Sequence, residues 1–193
     1  TDGRGIVDSL AAEAGFDPAG RSIAIVGAGG AASAALVSFA LGKAEHIVML
    51  NRSVEPAEEL IERVQSFARE TVLESAEMGD DCGEIVREAD LVVNATPLGM
   101  NPGDKSPVPA EWLHSGQVVV DMVYRAQPTP LVQTARSVGA TALDGLGMLV
   151  EQGAVALEIW WSDESCGSAP RDVMRRAAED ALRSLVPVGD DRA

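Results

Sequence analysis

The feature that most constrains the fold is a glycine-rich segment at residues 21–41, placed between an apolar run and an apolar helical pattern. The apolar run covers residues 23–26, and three glycines follow within four positions, at Gly27, Gly29 and Gly30. This order is typical of a buried strand, a tight turn and a helix whose first turn carries no bulky side chain. The segment therefore predicts a strand–turn–helix unit with an open turn.

The chemistry that needs such a turn is diphosphate binding. A helix N-terminus presents free backbone N–H groups and the positive end of its dipole to an anion. Glycine lets the backbone approach that anion closely, and the pattern here is G-x-G-G-x-A, with Gly27 and Gly29 in place and Ala32 at the third site. An ordinary strand–helix turn has the same pattern, but the position between a strand and a helix favours a dinucleotide site.

The composition narrows the class of partner. The chain has 193 residues, 46% of them hydrophobic, and a net charge of −15, so it can form a core but suits neither nucleic acid nor an anionic membrane surface. Its two cysteines, Cys82 and Cys166, lack metal-ligand spacing, and two histidines are too few for a histidine-rich site. No signal peptide or membrane span is evident. We expect no metal site, no disulfide scaffold and a reduced, cytoplasmic environment.

Short apolar runs alternate with helical patterns along the whole chain. The predicted strands are residues 23–26, 46–51, 71–76, 91–96, 118–123 and 140–143. The predicted helices are residues 6–14, the segment that ends at Gly42, and residues 56–69, 82–89, 130–138, 147–161 and about 170–185. This alternation predicts an α/β fold with a doubly wound parallel sheet in the order 3-2-1-4-5-6, which binds ligands beyond the carboxyl ends of its strands.

The end of the second predicted strand selects the cofactor. A NAD site has an acidic residue there to accept a hydrogen bond from the ribose 2′-hydroxyl, but this chain has Asn51, Arg52 and Ser53. A guanidinium can bind a 2′-phosphate through two parallel charge-assisted hydrogen bonds. The sequence therefore predicts NADP, with Arg52 as the phosphate ligand and its two neighbours as hydrogen-bonding partners; a solvated surface arginine is the alternative.

Seven motifs together resemble the shikimate dehydrogenase family. TDGRG, GAGGAA, NRS, NATPLGM, DMVY, TPL and DGLGMLVEQGA occur in one order across nearly the whole chain. The resemblance implies an oxidoreductase that reduces 3-dehydroshikimate reversibly with NADPH, by hydride transfer between nicotinamide C4 and the substrate carbonyl carbon. It also implies a connecting helix at residues 1–16, a Rossmann-type NADP domain at residues 17–145 and, at residues 146–193, helices of a substrate domain.

The resemblance implies roles for single residues. Asp2 matches the aspartate that binds a substrate hydroxyl and shares proton transfer with a lysine, while Tyr124 and Gln152 match substrate contacts. The implied cofactor-binding residues are Gly27, Ala28, Gly29, Gly30, Ala31, Asn51, Arg52, Ser53, Asn94, Thr96, Met122 and Gly145. Family members often carry a second arginine four residues after the first, where this chain has Pro56.

Structural alternatives exist for several of these residues. Asp2 would also serve as a helix N-cap, Met122 as an ordinary core residue and Tyr124 as a half-buried loop residue. Gln152 lies on an otherwise apolar helical face, where an unpaired amide is costly, so we expect a ligand or a backbone group as its partner.

A substrate domain with the catalytic lysine precedes the TDG motif in the family, and it has no counterpart here. Neither lysine of this chain, Lys43 or Lys105, matches the catalytic position. We therefore expect a fragment that binds NADP but turns over no shikimate, with an apolar helical face exposed within residues 147–185. Trp160 and Trp161 are expected to be core residues or interface anchors.

Other functions remain open at this stage. A quinate/shikimate dehydrogenase or a shikimate-dehydrogenase-like paralogue would share the motifs, and a module that senses NADP without catalysis is the alternative from another class. The expected partner is a small-molecule substrate, and the chain is expected to be a monomer or homodimer.

Overall fold

The computed structural model describes residues 1–161 and 168–184 and contains one parallel six-stranded sheet. Its strands are Ser22–Val26 (β1), His46–Asn51 (β2), Val72–Glu77 (β3), Leu91–Asn94 (β4), Val118–Asp121 (β5) and Thr141–Leu143 (β6). Their order is β3-β2-β1-β4-β5-β6, and every pairing is parallel. The predicted α/β class and strand order are confirmed.

Helices connect the strands and extend beyond them. They are Asp2–Ala14 (α1), Gly30–Leu41 (α2), Glu55–Gln65 (α3), Gly83–Glu88 (α4), Pro130–Ser137 (α5), Gly145–Trp161 (α6) and Arg171–Ser184 (α7). Local signals define several ends: Gly15, at φ 60°, ends α1 as predicted, and Pro130 begins α5 after Thr129. The Thr129 hydroxyl accepts a hydrogen bond from the Val132 amide at 3.3 Å and so caps α5.

The sheet separates two apolar layers. Ile23 and Ile25 of β1 face a core that includes residues of α1, α2 and α3, whereas Ala24 and Val26 face a second core with residues of α4 and α5. Strand residues alternate between faces, so a strand covered on both sides is apolar throughout. Because the helices cover the faces, the carboxyl edge of the sheet is left for loops and ligands.

Two strands end two residues earlier than predicted. β4 ends at Asn94 and β5 at Asp121. The Asn94 side chain accepts a hydrogen bond from the Thr96 amide at 3.0 Å, and the Asp121 side chain accepts one from the Val123 amide at 3.1 Å. Such side-chain turns compete with the strand ladder and redirect the backbone.

The predicted end of α3 is also wrong. The helix ends at Gln65, four residues early, and the Phe67 side chain is 53% exposed instead of continuing the apolar face. Ala68 is buried in its place, so the apolar position is filled from the following turn.

The C-terminal helices expose apolar side chains. Ile159, Trp160 and Trp161 at the end of α6 are 60%, 75% and 45% exposed, and Val173 of α7 is exposed as well. The predicted exposed face is confirmed for the described residues, and a core role for the two tryptophans is wrong; residue 185 and Cys166 lie outside the described part. Among residues 1–161 and 168–184, each helix is too short or too polar to cross a membrane.

Candidate dinucleotide-binding site

A groove of about 590 Å³ opens at the carboxyl ends of β1, β2 and β4. It is lined by Val26, Gly27, Ala28, Gly29, Leu50, Asn51, Arg52, Pro56, Met78, Ala95, Thr96, Pro97, Leu98, Asn101, Asp104 and Pro107. The glycine turn and the Asn51–Arg52 strand end, which lie more than twenty residues apart in sequence, therefore share one cavity.

A larger hollow of about 790 Å³ lies elsewhere, near the edge strand β3. Its lining includes four carboxylates, those of Glu58, Glu62, Glu74 and Glu88, and no part of the glycine turn. Those negative charges would repel a diphosphate. The smaller groove is therefore the better dinucleotide site.

The turn after β1 combines a close backbone approach with open space. Gly27 has φ 111°, and a Cβ there would come within 3.0 Å of the Ala95 carbonyl oxygen, so a larger residue is excluded. A Cβ at Gly29 or Gly30 would meet nothing within 4 Å. Gly29 is the N-cap of α2, no side chain caps this helix, and its first turn has no acidic residue. The first N–H groups of α2 are thus available to an anion, which fits a diphosphate.

The end of β2 presents a guanidinium to the same groove. The Asn51 amide donates to the Ser53 carbonyl at 3.0 Å, which stabilises the turn that carries Arg52. Arg52 is exposed and has no ion pair with the described part of the chain. It is the one basic residue among the groove-lining residues that the structure describes. Pro56, at the start of α3, lines the groove without adding charge.

Asn94 lies beneath the groove and is fully buried. Its Nδ2 donates to Asp121 Oδ1 at 2.8 Å and to the Leu98 carbonyl at 3.0 Å. Its Oδ1 accepts from the amide and the hydroxyl of Thr96, at 3.0 and 2.6 Å. The side-chain amide has no further hydrogen-bonding capacity, so Asn94 shapes the loop that includes Thr96, which itself lines the groove.

Asp121 is a site residue that the sequence analysis missed. It is fully buried and accepts hydrogen bonds from Asn94 Nδ2, the Val123 amide and the Thr129 hydroxyl at 2.8, 3.1 and 2.6 Å. Burial raises the pKa of the Asp121 carboxyl above its usual range, and these three donors offset only part of that shift. The available signal was an acidic residue at the end of an apolar strand, VVVD.

Gly145, the first residue of α6, contacts the loop that follows β5. Its amide donates to the Val123 carbonyl at 3.2 Å, and it packs directly on the Met122 carbonyl. Met122 is partly buried against the core below the sheet edge. The predicted nicotinamide contacts of both residues remain predictions.

A Gly145→Ala variant is expected to lose about 3 kcal/mol of unfolding free energy. Its Cβ would overlap the Met122 carbonyl oxygen, which is backbone and cannot rotate away. Urea denaturation measures the loss. Gly79→Ala is the matched control, because a Cβ at Gly79 meets nothing within 4 Å. Equal denaturation midpoints for the two variants would show that the close packing at Gly145 is unimportant.

The predicted substrate residues lie outside the groove lining. Asp2 is exposed in the first turn of α1, whose N-cap is Thr1, so the interpretation of Asp2 as an N-cap is wrong. Gln152 donates to the Leu149 carbonyl at 3.1 Å and accepts from the Thr1 hydroxyl at 3.2 Å, so α1 begins beside α6. Tyr124 is 43% exposed and lies three residues after the end of β5. Their substrate contacts remain predictions.

The parallel sheet, its glycine turn and the groove at its carboxyl edge define a Rossmann-type α/β domain. Residues 9–102 match the family model of shikimate / quinate 5-dehydrogenase. The family model covers just under half of the chain, and over these residues the chain is similar to that family.

Individual relatives are similar over nearly the whole of this chain. The chain is 43% identical over 189 residues to shikimate dehydrogenase (NADP(+)) of Methanopyrus kandleri. The matched region covers 95% of this chain and 62% of that relative. The structure of shikimate 5-dehydrogenase from Listeria monocytogenes, in complex with shikimate and NAD, matches with a TM-score of 0.83 and 32% identity, over 92% of this chain and 62% of that one. The 5-ketofructose reductase of Gluconobacter sp. strain CHM43 matches with a TM-score of 0.81 and 33% identity, over 94% and 63%. The chain thus spans about 62% of the length of these relatives.

Proposed function

We propose that this chain is the NADP-binding part of a shikimate dehydrogenase, which reduces 3-dehydroshikimate reversibly with NADPH. The observation that carries the proposal is the shared groove. The uncapped N-terminus of α2 and the Arg52 guanidinium, which has no ion pair among the described residues, line one cavity at the sheet edge. A dinucleotide with a 2′-phosphate carries two anionic groups, a diphosphate and the 2′-phosphate, and these two features suit them. The name of the Methanopyrus relative, which includes NADP(+), supports this cofactor.

NADPH supplies the hydride when bound, and the residues of this chain hold and orient it. The backbone N–H groups of residues 29–31 would hold the diphosphate, and Arg52 would hold the 2′-phosphate. Thr96, in a loop that Asn94 holds from below, would contact the ribose. Met122 and Gly145 would contact the nicotinamide.

Asp2, Tyr124 and Gln152 are proposed to contact the substrate, with Asp2 taking part in proton transfer. These three residues favour an enzyme over an NADP-sensing module, because binding NADP requires none of them. Quinate is a second candidate substrate, since the matching family model covers shikimate and quinate dehydrogenases. We also place the protein in the cytoplasm, as a monomer or homodimer; Cys82 is a free buried thiol, which is usual in reducing compartments.

The 193 residues alone are expected to bind NADPH and to oxidise no shikimate. Lys43 follows α2 at the end away from the groove and pairs with Glu70 at 3.8 Å. Lys105 is exposed and follows the groove-lining residue Asp104 in the loop after β4. Neither lysine lines the groove.

Titration with NADPH, followed by nicotinamide fluorescence, measures the binding, and NADP reduction in the presence of shikimate measures the turnover. A heat-denatured sample is the control for both. An unchanged fluorescence signal would contradict the proposed cofactor, whereas turnover above the control would contradict the expected lack of activity.

A further inference from the structure

One wall of the groove is an irregular loop whose centre, Gly99, is held by two side chains of opposite charge. Gly99 has φ 100°, in the left-handed region. Its amide donates to Asp104 Oδ2 at 3.0 Å, and the same oxygen accepts from the Asn101 amide at 2.9 Å. Its carbonyl accepts from Arg125 Nη1 at 2.9 Å. Both backbone polar groups of Gly99 are thus fixed.

The two side chains come from different parts of the molecule. Asp104 lies five residues along the same loop, whereas Arg125 follows β5 and is 26 residues from Gly99. The Asn101 and Gly99 amides, with the nearby Arg125 guanidinium, hold the pKa of the Asp104 carboxyl below its usual range. Arg125 therefore connects the loop after β4 to the loop after β5 through a hydrogen bond. Asp104 stabilises the turn within the loop after β4.

The strand order indicates which half of a dinucleotide would contact this loop. Arg52 follows β2, the glycine turn follows β1 and the loop follows β4, and these strands are neighbours in the order β2-β1-β4. A dinucleotide with its 2′-phosphate on Arg52 and its diphosphate at Gly29 extends across β1 toward β4. Its nicotinamide half then lies against the wall that contains Leu98, Asn101 and Asp104.

We propose that Arg125 and Asp104 are positioning residues that hold this loop for the nicotinamide half of NADPH and leave binding of the adenosine half unaffected. This inference rests on the proposed function. It predicts that loss of the Arg125–Gly99 hydrogen bond weakens binding of the whole cofactor but not of a fragment without nicotinamide.

The experiment compares two ligands on the same variants. NADPH carries both halves, whereas adenosine 2′,5′-bisphosphate carries the adenosine with its 2′- and 5′-phosphates and lacks the nicotinamide half. Arg125→Ala is expected to raise the Kd of NADPH about tenfold, the effect of losing a charge-assisted hydrogen bond, and to leave the bisphosphate within about twofold. Arg125→Lys is expected to restore part of the NADPH affinity, because a lysine keeps one charged donor. Arg136→Ala, on the exposed face of α5, is the matched control and should change neither Kd.

A second pair of variants tests Asp104 and does not depend on the folding of the Arg125 variants. Both loop amides bind one oxygen, Oδ2, so Asp104→Asn can keep both hydrogen bonds, whereas Asp104→Ala loses them. The alanine variant is expected to weaken NADPH alone, and the asparagine variant to stay near the wild type.

Three results overturn the inference. The first is an unchanged NADPH Kd in both alanine variants, and the second is an equal loss of both ligands, which would indicate general damage. The third is a wild-type chain that binds neither ligand, which would overturn the proposed function as well and is distinguishable because no variant is involved.

Discussion

Replacing Asp121 with alanine is expected to lower the unfolding free energy by about 4 kcal/mol. The variant leaves three donors without an acceptor: Asn94 Nδ2, the Val123 amide and the Thr129 hydroxyl. All three lie at buried or partly buried positions, where water replaces the lost partner poorly. Urea denaturation followed by circular dichroism measures the change. A loss below about 1 kcal/mol, the size of an ordinary surface substitution, would contradict the central role of this carboxylate.

Asp121→Asn is the matched control, because it keeps the shape and one acceptor oxygen but cannot ionise. Burial raises the pKa of Asp121 in the folded chain above its unfolded value, so ionisation is more costly in the folded state. The stability that Asp121 adds relative to asparagine is therefore complete below the unfolded pKa of about 3.9 and is lost as the pH rises through the folded pKa.

Unfolding curves of both proteins across the acidic range test this sign. The wild type should lose stability relative to the asparagine variant as the pH rises. If the wild type instead gained stability relative to the asparagine variant as the pH rises, the three hydrogen bonds would outweigh burial. The pKa of Asp121 would then be lowered rather than raised.

An Arg52→Asp variant is expected to bind NADPH about 100-fold more weakly and to shift preference toward NAD. The guanidinium is replaced by a carboxylate that repels the 2′-phosphate and can accept a hydrogen bond from a 2′-hydroxyl. The loss combines a charge-assisted hydrogen bond with a new repulsion, about 3 kcal/mol together. No other basic residue of the described chain lines the groove, so the effect should not be compensated.

The dissociation constants of NADPH and NADH, measured side by side, give the ratio. Arg69→Asp changes the net charge equally at an exposed position away from the groove lining and is the control for long-range electrostatics. Equal losses in the two variants, or an unchanged preference in Arg52→Asp, would remove Arg52 from the phosphate site.

The sheet was predictable because its signals are local. The alternation of Ile23, Ala24, Ile25 and Val26 between two cores is a consequence of strand geometry, and each apolar run is short and bounded by turns or helices. The strand order followed from the usual order of a doubly wound dinucleotide-binding sheet, together with right-handed connections. The errors lie where a side chain redirects the backbone, as at Asn94 and Asp121, since the apolar pattern continues past the true strand end.

In the candidate site, too, features within one continuous stretch were predictable and contacts between distant residues were not. The glycine turn and the Asn51–Arg52–Ser53 segment are continuous stretches, so the sequence by itself was enough to propose them as the sites for an anion and a 2′-phosphate. The contacts that support them join distant residues: Asn94 to Asp121 across 27 positions and Arg125 to Gly99 across 26. The periodicity of apolar residues along the sequence does not predict such pairs. Only the tertiary structure decided them, because parallel pairing of β4 with β5 brings two strand ends, and the loops that follow them, to the same edge of the sheet.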